Sequence, residues 1–302
     1  MPEHTPVPSP ELTILAAQIS VPAIASKRQR DDHVAQLVDK LALALRRQSA
    51  DIVVLPELCT IDYSRESFDR LPELAETLDG KSVQTFATLA RQYGVMVVVG
   101  MPRRDRDAYL ISQVVIDTDG AVVACYDKMH TAHYGASMEK DYFKPGDTMV
   151  SFTCKGYKLA PIICYDIRFP ELTRALTVEH NIDVLLHSGA YYRDESFASW
   201  HAFVVTRAME NQIYVVSLNR AGQQYGDSVV APPWVEPDSG LARSDSGPVS
   251  TGSVEPHSRP RSLIHFDAHE EGFRWIKVER NVIKEVRQEY TFLLDRHSSY
   301  LS

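Results

Sequence analysis

Residues 159–172 read Leu-Ala-Pro-Ile-Ile-Cys-Tyr-Asp-Ile-Arg-Phe-Pro-Glu-Leu. The first five are an apolar run of strand length and a helix begins near Pro170, with Cys164 standing between the two. Strand ends of this kind are where α/β sheets hold ligands. Downstream, Ile182 to Leu186 reads as a strand. Phe197, Trp200, Val204, Val205 and Ala208 then share one helical face, and Ile213 to Leu218 is again a strand. Upstream the alternation repeats. Leu12 to Ile19 is a strand, and Val34, Leu37, Val38, Leu41 and Leu45 mark a helix capped by Asp31 or Asp32. Ile52 to Leu55 is a strand, Val83 to Ala90 a helix stopped by Gly94, and Val95 to Val99 a buried strand. Tyr109 to Ile116 and Ala121 to Tyr126 form an antiparallel hairpin across Asp117-Thr118-Asp119-Gly120. Alternating strands and helices mixed with a hairpin predict an α/β protein with a mixed sheet.

The chain has 302 residues, enough to bury a core without staples. Residues 1–11, rich in proline and acids, read as a flexible tail rather than a signal peptide. Residues 12–302 read as one domain, with a long Ser/Pro/Gly-rich loop near 236–261. A net charge of −8, with Lys and Arg scattered, argues against a nucleic-acid partner. No apolar run approaches the roughly 20 residues of a membrane span, so no membrane role is expected. The four cysteines, Cys59, Cys125, Cys154 and Cys164, show no metal-ligand or disulfide spacing and suit a reducing cytoplasm. No glycine-rich nucleotide motif follows a strand, and neither a cofactor nor a metal is expected. His130-Thr131-Ala132-His133 could suggest a metal but has no third ligand, and His130, His133, His187 and His201 sit in no recognisable Cys-His hydrolase pattern.

Three strand candidates end in a chemically active side chain: Glu57 after Val53-Val54-Leu55-Pro56, Lys128 after Ala124-Cys125-Tyr126-Asp127, and Cys164. A thiol can attack a carbonyl, a carboxylate can take its proton, and an ammonium can stabilise the oxyanion. Each also has a plainer reading: a buried structural thiol, a capping carboxylate, a solvated lysine.

The segments around these three positions resemble the nitrilase superfamily, in the order Glu, Lys, Cys. Leu55-Pro56-Glu57-Leu58, followed by Tyr63, resembles its first motif, and Tyr126-Asp127-Lys128-Met129-His130 its lysine motif. Cys164-Tyr165-Asp166-Ile167-Arg168-Phe169-Pro170-Glu171-Leu172 resembles its cysteine motif. Glu139 stands before Phe143-Lys144-Pro145-Gly146-Asp147 as the family's second glutamate does, and Arg207 to Val216 resembles the helix and strand that follow its nucleophile. The resemblance spans about residues 12–290 and implies a four-layer α-β-β-α sandwich with mixed β-sheets, paired into a homodimer or higher homo-oligomer. It implies Cys164 as nucleophile, Glu57 as base, Lys128 and the backbone N–H of Tyr165 as oxyanion donors, and Glu139 orienting Lys128. Asp166 and Arg168 are read as a structural pair fixing the turn.

The same three residues attack nitriles, amides and N-carbamoyl compounds. Nitrilases usually carry Trp after the cysteine; Tyr165 here favours an amidase-type reaction on a small-molecule amide, by way of a thioester, giving a carboxylate and ammonia. The alternatives are N-carbamoyl hydrolysis and, in another class, a catalytically silent dimeric scaffold. An acidic substrate needs a cation, for which Arg168, Arg193 and Arg220 are the candidates.

Overall fold

The computed structural model describes residues 11–236 and 262–297. The expected N-terminal tail, apart from Glu11, and the expected Ser/Pro/Gly-rich loop, apart from Glu236, lie outside the described residues. The elements are β1 (Leu12–Gln18), α1 (Lys27–Arg47), β2 (Ile52–Val54), α2 (Arg65–Asp69), α3 (Leu71–Leu74), α4 (Lys81–Tyr93), β3 (Met96–Asp105), β4 (Ala108–Ile116) and β5 (Val122–Asp127). They continue with β6 (Phe152–Cys154), β7 (Tyr157–Ile163), α5 (Pro170–Glu179), β8 (Val184–Ser188), α6 (Phe197–Asn211), β9 (Tyr214–Leu218), β10 (Val229–Ala231), β11 (Ile264–His265), β12 (Gly272–Val278) and α7 (Arg280–Glu289).

Two six-stranded sheets result, ordered β12-β1-β2-β3-β4-β5 and β11-β10-β9-β8-β7-β6. Each has three parallel strands at its centre, β1-β2-β3 and β7-β8-β9, extended on both sides by antiparallel neighbours. Side-chain alternation decides how they stack. In β1, Leu12, Ile14 and Ala16 meet Leu159, Val184, Leu186 and Val216 of the other sheet, whereas Leu15 and Ala17 pack under Leu37, Leu41, Phe86 and Leu89 of α1 and α4. On the far side Ile162, Leu185 and Val215 are covered by Leu172, Trp200 and Val204 of α5 and α6. The order is helix, sheet, sheet, helix, the four-layer sandwich. Central strands buried on both faces lose the polar alternation of a half-exposed strand, which is why they read as continuous apolar runs.

Two boundaries differ from the sequence reading by more than two residues. Helix α1 starts a turn early, at Lys27, because Ser26 Oγ accepts the N–H of Gln29 (3.3 Å); Asp31 instead pairs with Arg30 (2.8 Å) and Lys81 (2.9 Å). Its first turn, Lys27 to Arg30, is entirely polar and carries no apolar periodicity. Strand β3 runs on to Asp105, paired with β4 as far as Ala108. The Gly94 stop is present: the residue closes α4 at φ 60° with its N–H on Ala90 O. No described helix is long and apolar enough to cross a membrane.

Candidate active site

The parallel strand β2 delivers Pro56 and Glu57 to its carboxyl end, where the chain must turn sharply; Leu58 takes φ 49°. Arg220, 2% exposed, holds that turn. Its guanidinium donates to the carbonyls of Glu57 (3.2 Å), Leu58 (2.7 Å) and Ile61 (2.8 Å). On the other side β3 comes so close that a Cβ on Gly100 would stand 2.2 Å from Pro56 O and 2.9 Å from Leu58 N. Lys128 follows β5, its N–H on Ile111 O (2.9 Å), and Glu139 begins a single 3-10 turn, Glu139–Asp141, after a loop.

These three side chains form one buried cluster. Lys128 Nζ donates to Glu57 Oε1 (2.8 Å) and to Glu139 Oε1 (2.7 Å), and none of the three side chains has measurable exposure. The two carboxylates are not equivalent. Glu139 accepts three bonds, from Lys128, from Tyr63 Oη (2.8 Å) and, at Oε2, from Ala132 N–H (2.8 Å). Glu57 accepts one, and its buried Oε2 has no partner. Burial pushes Glu57 up to about 7 against the pull of Lys128. Burial would lower Lys128, but the charges of Glu139 and Glu57 outweigh it and hold the ammonium well above its usual value. Buried ion pairs seldom repay their desolvation in stability, so a cluster of this kind points to chemistry.

Cys164 directly follows β7 and opens a 3-10 turn, Cys164–Arg168, at φ 46°, a left-handed conformation that non-glycine residues seldom adopt. Its thiol is buried beside the cluster. Burial and then the Glu57 charge push it well above its usual range, while Lys128 and the Ala190 N–H pull the other way. The resting thiol is therefore protonated at neutral pH. Four residues brace the turn. Asp166 accepts from Ile163 N–H (3.0 Å), Tyr126 Oη (2.7 Å) and His130 N–H (3.0 Å), and Arg207 donates to the carbonyls of Ile167 (3.0 Å) and Arg168 (3.3 Å). The carbonyl of Cys164 accepts from His187 Nε2 (3.0 Å) and Tyr191 Oη (2.8 Å). Tyr165 is the second residue of the turn, so its N–H has no acceptor within the turn.

The pairing of Asp166 with Arg168 expected from sequence is absent. Asp166 is engaged with the backbone and with Tyr126 and His130, and the Arg168 guanidinium reaches Ser199 Oγ (3.2 Å) and Ser196 O (3.3 Å) instead. Of the three candidate cations, Arg220 and Arg193 are engaged. Arg193 donates to Asp227 (2.8 Å) and to the carbonyls of Tyr225 (2.9 Å) and Ala268 (2.7 Å). Arg168 keeps a buried Nε without a partner. It lies 5.8 Å from the ring of Tyr134, whose hydroxyl feels both the Arg168 guanidinium and the Cys164 charge. Of the four candidate histidines none meets the thiol: His187 meets the cysteine's carbonyl, His130 bonds Asp166 (2.8 Å), His201 bonds Asp227 O (2.7 Å) and His133 lies 3.9 Å from Asp141. Among the described residues no group of three or more His, Cys, Asp or Glu is arranged to hold a metal ion. Sequence reasoning quoted Tyr63 within the first motif without giving it a role, considered His187 only as a partner of the thiol and did not single out Tyr191; each acts through a partner far along the chain.

Residues 15–256 match the family described as carbon-nitrogen hydrolase. Omega-amidase NIT2-B of Xenopus laevis is 28% identical over 209 residues, covering 65% of this chain and 74% of the relative. The 2-oxoglutaramate amidase of Bacillus subtilis is 33% identical over 193 residues, covering 61% and 71%. The crystal structure of Saccharomyces cerevisiae Nit3, a member of branch 10 of the nitrilase superfamily, superposes with a TM-score of 0.77 at 21% identity, covering 97% of this chain and 98% of that one.

Proposed function

The chain belongs to the carbon-nitrogen hydrolase family, and from that premise we propose that it hydrolyses the C–N bond of a small-molecule amide through a thioester on Cys164. The observation that carries this reading is the free, buried Oε2 of Glu57 in the same enclosure as a protonated thiol. With a pKa about 7, Glu57 can both take and return a proton near neutrality. It removes the thiol proton as Sγ attacks the amide carbon. The carbonyl oxygen gains the negative charge and is stabilised by the Lys128 ammonium and the Tyr165 N–H. Glu57 returns its proton to the amide nitrogen as the C–N bond breaks, and ammonia leaves. Water, deprotonated by Glu57, attacks the thioester; the carboxylate departs and the thiol recovers its proton. Glu139, held by three donors, fixes Lys128 in place and keeps it charged.

An acid-bearing amide is the substrate this site suits. One relative above is named for such a compound, 2-oxoglutaramate, and Arg168, whose guanidinium lies 5.8 Å from the Tyr134 ring, retains an unengaged N–H for a carboxylate. The chain acts as a homodimer in this proposal, with exposed Phe292 and Leu294 as apolar surface for a partner.

The test measures ammonia release from succinamate, propionamide, N-carbamoyl-β-alanine and propionitrile by the native chain and by Cys164→Ala, with intact-mass detection of an acyl adduct. Turnover of succinamate ahead of propionamide, lost in Cys164→Ala and accompanied by an adduct, is expected. Turnover that survives the substitution sinks the thiol mechanism, and carbon dioxide released with the ammonia reassigns the substrate to the N-carbamoyl class.

A further inference from the structure

Two donors converge on one atom behind the nucleophile, and the direction of both bonds is fixed by the groups around them. Trp200 Nε1–H can only donate, and it donates to Ser217 Oγ (2.9 Å). Ser217 Oγ also meets His187 Nδ1 (2.7 Å), and the Cys164 carbonyl, which can only accept, meets His187 Nε2 (3.0 Å). The imidazole is neutral, since burial pushes it down to about 4, so its one proton is on Nε2, which donates to the Cys164 carbonyl, and Nδ1 accepts from the Ser217 hydroxyl. Tyr191 Oη donates to the same oxygen at 2.8 Å, its ring stacked on Trp200 at 4.6 Å. Every member of this chain is buried.

The Cys164 carbonyl and the Tyr165 N–H belong to one planar peptide unit, so an orientation imposed on the first is imposed on the second. Hydrogen bonds accepted by a carbonyl also polarise its amide and strengthen the N–H as a donor. We propose that His187 and Tyr191 are positioning residues for the oxyanion hole: by gripping the Cys164 carbonyl they aim and polarise the Tyr165 N–H and hold the left-handed turn at the nucleophile. This rests on the catalytic reading above, in which Tyr165 N–H meets the oxyanion. Neither side chain touches the substrate, and a merely structural role would displace the thiol as well as the N–H. The two roles separate by experiment.

Tyr191→Phe keeps the ring and its stacking but removes one grip; His187→Gln keeps an N–H donor, and His187→Leu keeps none. For Tyr191→Phe we expect kcat on succinamate to fall about 10-fold with KM little changed, less than the roughly 10²- to 10³-fold loss on removing an oxyanion donor itself. Succinic semialdehyde, whose hemithioacetal with Cys164 places an oxyanion in the hole, should inhibit the variant more weakly by a similar factor. The rate at which a neutral methanethiosulfonate modifies Cys164, a reaction with no oxyanion, should stay at the native value. His187→Leu should behave as Tyr191→Phe, and His187→Gln should recover much of the loss. Unchanged aldehyde inhibition in Tyr191→Phe and His187→Leu overturns the proposal, as does methanethiosulfonate reactivity that falls in step with kcat. Neither result touches the thioester mechanism, which fails only if Cys164→Ala still turns over amide.

Discussion

Lys128 lies between two carboxylates, but only Glu57 has an oxygen with no donor on it. That asymmetry assigns the mobile proton to Glu57, and it has a thermodynamic counterpart. Burial raises Glu57 from an ordinary 4.5 to about 7. The folded chain thus keeps a proton there that the unfolded chain has already lost between those two values. The stability this confers is fully present below about 4.5 and lost as pH rises through about 7. Glu57→Gln, which never ionises, is expected to be inactive yet to melt roughly 2–4 °C above the native chain at pH 8, with the gap closing towards pH 5. Calorimetry at both pH values checks it; a lower melting temperature at pH 8 would mean that pairing with Lys128 outweighs burial. The native chain should lose kcat/KM as pH falls below about 7 and the base becomes protonated. Glu57, Lys128 and Cys164 could be nominated from sequence because each follows an apolar run, whereas Glu139 needed the family resemblance. Tyr63, bonded to Glu139 across 76 residues, was marked only by the motif that contains it, and Tyr191, bonded to Cys164 across 27, left no local trace. A buried hydroxyl finds its partner in space, and sequence spacing does not encode which one.

At the level of elements, the site depends on how closely β3 passes the turn after β2. Any side chain on Gly100 meets the carbonyl of Pro56 and the N–H of Leu58, both backbone atoms that cannot swing aside. Gly100→Ala should therefore cost about 1–3 kcal/mol, the range for overpacking a close contact. It should also lower kcat by displacing Glu57, although Gly100 touches no substrate. Denaturant midpoints and kcat measured together test this; a variant with native stability and native kcat would show that the strand pair yields. Long elements with a strong period were legible, among them α4 with its glycine stop and the β4–β5 hairpin with Gly120 at φ 83° in the turn. The three-residue strands β6 and β10 were not, being too short to show alternation. Nor were β12 and α7. Both carry charges between their apolar positions, Arg274 and Lys277 in the strand and Lys284, Glu285 and Arg287 in the helix, and they follow a stretch whose composition reads as loop.

Taken whole, the molecule places three apolar layers between its sheets and helices, and its reserve thiols lie in or against them. Cys59, Cys125 and Cys154 are pushed up to about 12 by burial, which leaves them poorly nucleophilic at neutral pH. The four-layer stacking was not derivable from periodicity, which reports that a strand is buried on both faces but not whether a helix or a second sheet covers each one; the family resemblance supplied it. Assembly belongs to this scale too. Light scattering is expected to give twice the 34.0 kDa chain mass, and Leu294→Asp, at a position 81% exposed, to shift the population towards monomer. A native chain of single mass in solution would remove the dimer from the proposal.

Strand β1 is hydrogen-bonded on one side to β2 and on the other to β12, Leu12 opposite Val278 and Gln18 opposite Gly272. On the ribosome these neighbours do not emerge together. The β2 side can close early, but the other edge of β1 stays an open row of N–H and C=O groups until almost the whole described chain has been made. Completion of this sheet thus waits for β12, in a chain that otherwise alternates strands and helices in order. The nascent protein must shield that edge from the emergence of β1 until β12 is available.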